Sequence, residues 1–442
     1  MRTAVGNGRI DTVILAVPDL QGRLKGKRYG ARHFLERVVG GDAEMCAYLL
    51  ATDVGMNPID GFALTSWETG YADLTVAPDL GTLRRVPWLP RTTMVLGHAL
   101  TPEDQPLAVA PRQMLLTQIG RLAAAHGLHV QAGLESESLL YEGRFTSTRE
   151  LGEGRLRPMG AMNLDYALDH PPVLDRFMRR LQSALAGAGS PMEAIKTESG
   201  PGQVEGTFPY GPALEACDTH ILFKHAVRTL ASRADLTATY MAAPQTGVGS
   251  GLHLHVSLWR GGEPVLATSD GDLSDTGRHA IAGLVQALPQ LAPLYAPNTN
   301  SYRRYAMGSF APTHMTWGYD NRRCAVRVVG HGSGLHLEVR VQGADANAYL
   351  AMAAVLAAIN HGLDHKPPLP PVQTANAHQA ADAPALPLTL EEALVAFHNS
   401  PTAKGAFGPE VVAHYAHLAQ VELDHQRAVV PDTERERWLV QA

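Results

Sequence analysis

The segment Glu198-Ser-Gly-Pro-Gly-Gln203-Val-Glu205 sets two carboxylates on either side of a Gly-Pro-Gly turn. Glycine supplies unusual dihedrals and proline fixes one φ, so such a turn reverses or bulges an extended chain. Carboxylates that converge across it can bind a hard divalent cation, which wants oxygen ligands. Read alone, the segment is equally a solvated hairpin tip with two surface acids. Glu135-Ser-Glu137 lies in an apolar stretch between Val130 and Leu140. On a strand, residues i and i+2 share a face, so these two acids repel unless a cation lies between them. His253-Leu-His255-Val-Ser257 repeats the spacing, with two imidazoles and a hydroxyl on one face and Leu252, Leu254, Val256 and Leu258 on the other. It follows Gly247-Val-Gly249-Ser-Gly251, whose unshielded backbone N–H groups suit an anion. The bland readings of both are outward acids and a Gly-rich hairpin entering a polar strand face.

Arginine supplies the complement. Asn300-Ser-Tyr-Arg-Arg304, Asn321-Arg322, Arg327 and Glu338-Val-Arg340 carry guanidiniums suited to carboxylate or phosphate, or to ordinary ion pairs with Glu. Glu135, Glu137, Glu198, Glu205 and Glu338 with His253 make an oxygen-rich set fit for Mg2+ or Mn2+. Arginines gathered near such metals point to a triphosphate whose terminal group is transferred. The sequence holds no Walker loop and no kinase Gly-rich loop, so the nucleotide must be held another way.

These side chains need a scaffold. The 442 residues suffice for one large domain or two ordinary ones. A formal net charge of −6 without Lys or Arg runs argues against nucleic acid binding. No signal-peptide core precedes Asp11, and the apolar run Ala346–Ile359 is too short to span a bilayer and reads as a buried helix. Cys46, Cys217 and Cys324 have no zinc or disulfide spacing, and the cytoplasm is the natural compartment. Residues 1–105 read as a small α+β unit: a strand over Asp11–Leu20, a polar turn and second strand start at Gln21–Lys27, a helix over Ala31–Val39 and short β pieces. Leu100–Pro106 is a linker. Residues 106–442 then alternate strands with helices. Strands are expected at His129–Leu140, Glu193–Glu198, Gln203–Phe208, Leu252–Leu258, Met315–Trp317, Ala325–Val329 and His336–Val341. Helices are expected at Gln113–Ala125, Val173–Ala186, Ala213–Ser232, Thr276–Leu288, Asn347–Leu363, Leu390–His398 and Gly408–Arg427, with His365–Leu386 an exposed loop.

In this order, Glu135-x-Glu137, Glu198 with Gly202-Gln203-x-Glu205, Gly249-Ser-Gly-x-His253-x-His255-x-Ser257, Asn300-Ser-Tyr-x-Arg304, Asn321-Arg322 to Arg327 and Glu338-x-Arg340 resemble the glutamine synthetase family over nearly the whole chain. The resemblance implies an α+β fold with a β-grasp N-terminal domain and a catalytic domain of curved antiparallel sheet with flanking helices. It implies a homo-oligomer, a dodecamer of two hexameric rings with active sites between neighbours. ATP would phosphorylate the side-chain carboxylate of glutamate, and an amine would displace the phosphate. By the same resemblance Glu137, Glu198 and Glu205 would hold one metal ion, and Glu135, His253 and Glu338 a second, with two or three Mg2+ or Mn2+ per site. Arg322 and Arg327 would contact the phosphates, Arg304 and Arg340 the glutamate carboxylates, and Gly249 its amino group. His255, Ser257 and Tyr210 would line the ATP pocket.

The chain departs from the ammonia-using pattern. Where those relatives carry a Glu just before Ala-Pro, this loop reads Gly308-Ser-Phe310-Ala311-Pro312. Their ammonium loop corresponds at best to Asp60-Gly-Phe-Ala63, making Phe310 and Asp60 the candidates for the amine site. An aromatic in place of an acid suits an alkylammonium with an apolar tail, as in the γ-glutamylpolyamine and γ-glutamylethanolamine branch. Lys196 replaces a frequent histidine, and the stretch 365–388 has no Tyr to accept regulatory adenylylation. The competing readings are ammonium as acceptor, a more specialised amine or acid, and a catalytically silent, assembly-forming relative.

Overall fold

The computed structural model describes residues 1–41, 43–144, 157–380 and 382–442. Two sheets organise it. The first has the order β2-β1-β5-β4-β3, from β1 (Thr12–Pro18), β2 (Leu24–Gly30), β3 (Glu44–Cys46), β4 (Asp73–Arg85) and β5 (Thr92–Leu100). The polar turn between β1 and β2 is built on buried Asp19, whose carboxylate accepts the N–H groups of Gln21 and Arg23 and pairs with the Arg23 guanidinium at 2.7 Å.

The second sheet carries the chemistry. Its main path is β13 (Trp317–Tyr319), β14 (Val326–Val329), β15 (His336–Val339), β11 (Leu252–Arg260), β6 (His129–Glu142), β8 (Gln203–Thr207) and β7 (Ala194–Thr197). Short strands β9 (Gly211–Pro212) and β10 (Leu236–Thr239) pair with β6, and β12 (Glu263–Pro264) pairs with β11. Every pair in it is antiparallel except β13 with β14. On β11, Leu252, Leu254, Val256 and Leu258 point into the core, so the interleaved His253, His255 and Ser257 must face the other way. The core behind the sheet includes the helices Ala213–Arg233 and Ala348–His365. The second contains the apolar run noted in the sequence and is buried along nearly its whole length, with Asn347 capping its first turn. No helix among the described residues is long and apolar enough to cross a membrane.

Several expectations are corrected. The strand expected at Met315–Trp317 lies at Trp317–Tyr319, because the Met315 N–H is taken by Pro384 and pairing with β14 begins at Trp317. The helix after β2 stops at Glu36, and a 3-10 turn, Val38–Gly40, follows. The stretch after His365 is not simply an exposed loop. Ala377, His378 and Leu386 are buried, and His378 accepts from the Gly308 N–H and lies 3.1 Å from the Ala311 carbonyl. It thus buttresses the loop that carries Phe310.

Candidate active site

Strand register assembles the polar face in rows. Across β6, β8 and β7, Glu137 lies opposite Glu205, and Glu205 opposite Lys196. One step along, His253 of β11 lies opposite Glu135. On the far side Arg327, Glu338 and His255 form a row over β14, β15 and β11. The turn after β7 brings Glu198 back over the first row. Gly202 holds φ +74° there, and a Cβ on it would come 2.5 Å from the Leu140 carbonyl oxygen, so only glycine fits.

Ligand atoms of Glu137, Glu198 and Glu205 lie within 4.8 Å of one another, as do those of Glu135, Glu205 and His253, and of Glu135, His255 and Glu338. His253 Nδ1 is 3.2 Å from Glu135 and 3.6 Å from Glu338. Burial, then the neighbouring Arg340 guanidinium, pushes the His253 imidazole down to about 4. Burial followed by Glu198 raises Glu137 to about 7, and burial followed by Glu135 and Glu137 raises Glu205 to about 8. Burial opposes ionisation of Glu135 and Glu338 as well, but there it is outweighed. His253 and His255 hold Glu135 well below the usual carboxylate range, and His253 and Arg340 hold Glu338 at about 2.

These residues fit divalent metal ions on the structure's own terms. Glu137 and Glu205 repel each other without enough positive charge between them. The buried His255 Nε2 lies 3.3 Å from Glu135 but makes no aligned hydrogen bond. His255, expected only along the nucleotide pocket, therefore also faces the carboxylates, and His336 fixes its other nitrogen at 3.1 Å.

Apart from Asp60, the remaining expected residues fall around two neighbouring cavities. One, of about 590 Å³, holds Glu135, Glu137, Glu198, Glu205 and His253 together with Gly249, Arg304, Arg322, Arg327, Arg340 and Phe310. Glu338 lies at its edge, bonded to Arg327 at 2.9 Å and paired with Arg340. A Cβ on Gly251 would come 2.7 Å from the Arg304 guanidinium, so the absence of a side chain here leaves that guanidinium room beside the glycine loop. Arg304 is presented by the turn Thr299–Tyr302, which Asn298 caps and which Asp345 anchors through Asn298 and Ser301 at 2.8 and 2.6 Å. The second cavity, of about 620 Å³, is lined by Tyr210, His255, Ser257 and Trp259 and meets the first at Glu135. A cavity lined by acids and arginines thus shares Glu135 with one lined by aromatic rings.

Phe310, 65% exposed, stands in the wall of the first cavity and of an outer one of about 710 Å³ that also contains Tyr319 and Val372. Asp60 does not join these residues. Its carboxylate accepts from the Trp67 N–H at 3.1 Å, and its carbonyl meets His417 Nε2 at 2.7 Å, which fastens its loop to the helix Pro409–Ala428. Four contributors had no role assigned from the sequence. Gln203 donates to Glu137 at 2.6 Å and to the Gly249 carbonyl at 3.0 Å. Asp165 and Tyr166 line the cavity beside Lys196. Their segment is stitched to β7 by Tyr166 N–H to Thr197 O and Thr197 Oγ1 to Leu164 O. Strand register alone could have found Lys196.

The glutamine synthetase catalytic domain matches residues 108–438. The chain is 42% identical to a γ-glutamylethanolamide synthetase of Streptomyces coelicolor, over 99% of this chain and 94% of that protein. It is 33% identical to a glutamate–isopropylamine ligase of a Pseudomonas species, over 99% and 97%. Its identity to a γ-glutamylputrescine synthetase of Escherichia coli is 30%, over 97% and 91%. A solved structure described as apo GmaS without ligand superposes with a TM-score of 0.86 at 25% identity, covering 100% of this chain and 99% of that one. The match to the catalytic domain and the full-length likeness to these ligases settle the family: this chain is a member of the glutamine synthetase family.

Proposed function

We propose that the chain is an ATP-dependent, ADP-forming ligase that joins the γ-carboxylate of glutamate to an organic amine through a γ-glutamyl phosphate. The observation that carries this reading is Phe310, an apolar side chain in the wall of an otherwise charged cavity and, with Arg322, also in the wall of an outer cavity that offers Tyr319 and Val372. An aromatic there covers the tail of an amine, whereas ammonium has no tail to cover. The likeness to ligases named for ethanolamine, isopropylamine and putrescine supports an organic acceptor.

Glutamate enters the first cavity with its carboxylates toward Arg304 and Arg340 and its amino group toward the Gly249 backbone. The adenine of ATP stacks by Tyr210, with His255 and Ser257 beside it, and the phosphates reach past Glu135 to Arg322 and Arg327. Glu137, Glu198 and Glu205 would hold one ion, and Glu135, His253 and Glu338 a second. Two or three Mg2+ or Mn2+ ions bound there would neutralise charge on the phosphate oxygens during transfer. Arg327, tethered to Asp320 and Glu338, is aimed at the group in flight. The γ-carboxylate oxygen attacks the terminal phosphorus and ADP leaves. The nitrogen of the free amine then attacks the acyl carbon, and phosphate leaves with the former carboxylate oxygen and the proton the nitrogen sheds. The six expected ligands are spread over three groups that could hold a metal ion, with Glu135, His253 and Glu338 not forming one group by themselves, and the presence of all six supports an active relative over a silent one.

We also propose a homo-oligomer, a double ring with active sites completed by neighbouring subunits. The loop bearing Asp60 exposes Val54, Met56 and Trp67, apolar surface suited to cover by another copy. The two strand sets support a division into an N-terminal β-grasp domain, 1–105, and a catalytic domain, 106–442. ATP use and three free cysteines make the cytoplasm the compartment we propose. The test is phosphate release from ATP, glutamate and Mg2+ with ethanolamine, isopropylamine, putrescine and ammonium in turn. Release with an organic amine supports the reading, and release with ammonium alone overturns it in favour of glutamine synthesis.

A further inference from the structure

The cavity already contains an ammonium group, and it belongs to the protein. Lys196 enters from β7 in the row Glu137–Glu205–Lys196. Its Nζ pairs with Glu198, lies 3.5 Å from Glu205 and 3.9 Å from Asp165, and sits 4.6 Å from the centroid of the Tyr166 ring. Carboxylates plus an aromatic face are what a small alkylammonium or a free ammonium ion recognises. The side chain is only 25% exposed, and its partners Asp165 and Tyr166 are held against it by the stitching of the 164–166 segment to Thr197.

We propose that Lys196 is a specificity-determining residue whose ammonium fills the small-cation place of the acceptor site and so shuts out free ammonium. This rests on the reading of the acceptor as an organic amine. A tethered group acts at an effective concentration in the mM range or above, so free ammonium must displace a competitor that cannot diffuse away. An organic amine escapes that competition. With its tail against Phe310 it presents its nitrogen from the outer side of the cavity, without needing the place Lys196 occupies. When a metal ion takes Glu198, Asp165 and Tyr166 still hold the lysine head.

The experiment compares the wild type, Lys196→Ala and Lys196→Arg, each with ADP and Mg2+. Thermal stability is followed as ammonium chloride replaces tetramethylammonium chloride at constant ionic strength. A saturable stabilisation by ammonium is expected in Lys196→Ala and in neither of the others. In turnover, the ratio of glutamine formed from ammonium to amide formed from ethanolamine rises about tenfold or more in Lys196→Ala and stays within about twofold of wild type in Lys196→Arg. Equal ammonium stabilisation of wild type and Lys196→Ala, or an unchanged ratio, overturns the proposal. The thermal measurement needs no turnover, so it decides the matter even where no organic amine is used. Reductive methylation of the wild type gives an answer independent of any variant. Lys196 should react far more slowly than the exposed Lys366, and equal rates overturn the proposal.

Discussion

Glu205 lies directly opposite Glu137 across the antiparallel pair β8 and β6, so two carboxylates share one face of the sheet with no side chain between them. Burial raises both, with Glu135 and then Glu137 pushing Glu205 to about 8 and Glu198 pushing Glu137 to about 7. Such a pair is costly in isolation and becomes favourable when a cation arrives.

Glu135 belongs to two of the three groups of side chains that could hold a metal ion, and it lines both cavities. Glu135→Ala should lower turnover by more than about 100-fold, since even second-shell metal partners cost 10- to 100-fold. Size-exclusion elution should be unchanged. Near-normal turnover in this variant would remove the two-ion assignment.

Much of this site was legible in the sequence because strand periodicity is strict. The i, i+2 spacing of Glu135 with Glu137 and of His253 with His255 put each pair on one face, and the structure keeps them there. The Gly-Pro-Gly turn announced the return of Glu198, and the Ala346–Ile359 run announced a buried helix. What escaped depends on which strands neighbour each other. Lys196 gains meaning only opposite Glu205, and Asp165 and Tyr166 come from a segment whose position is set by contacts with Thr197. His378 lies in a Pro- and Ala-rich stretch with no periodicity, yet it props the Phe310 loop. Asp60 was chosen by likeness of sequence, and its own subunit uses it to fasten a loop.

Phe310→Glu restores an acid where the chain carries an aromatic. Activity with ammonium relative to alkylamines should rise by about tenfold, a change of roughly 1.4 kcal/mol in discrimination. An unchanged preference, measured as a ratio of kcat/KM values, would take the acceptor role away from Phe310.

Tyr210 is 69% exposed on the rim of the aromatic cavity, a poor place for a tyrosine unless something stacks on it. Tyr210→Ala should weaken ADP binding by roughly 5- to 100-fold, the usual worth of one base–aromatic stack. Amine preference should not change. Calorimetric titration with ADP measures the first and an acceptor panel the second.

Lys224 is buried against the Tyr240 ring, 4.7 Å from its centroid. Burial, with Arg228 nearby, lowers its ammonium from 10.5 to about 7. Between those values the unfolded chain holds a proton that the folded chain has released, so this residue makes stability rise with pH across the window. Lys224→Met should stabilise the protein by roughly 1–4 kcal/mol at about pH 6.5, with the advantage shrinking by about pH 9.5. Denaturant midpoints at the two pH values test this, and a pH-independent difference would contradict it.

The central claim is transfer of phosphate to the glutamate side chain followed by capture by an organic amine. Glutamate labelled with 18O in its γ-carboxylate, incubated with ATP, Mg2+ and ethanolamine, isopropylamine or putrescine, tests it in one mass-spectrometric measurement. The account predicts one 18O atom in each released phosphate and a γ-glutamyl amide of an organic amine as co-product. Phosphate free of 18O, or glutamine from ammonium as the only amide formed, would contradict it.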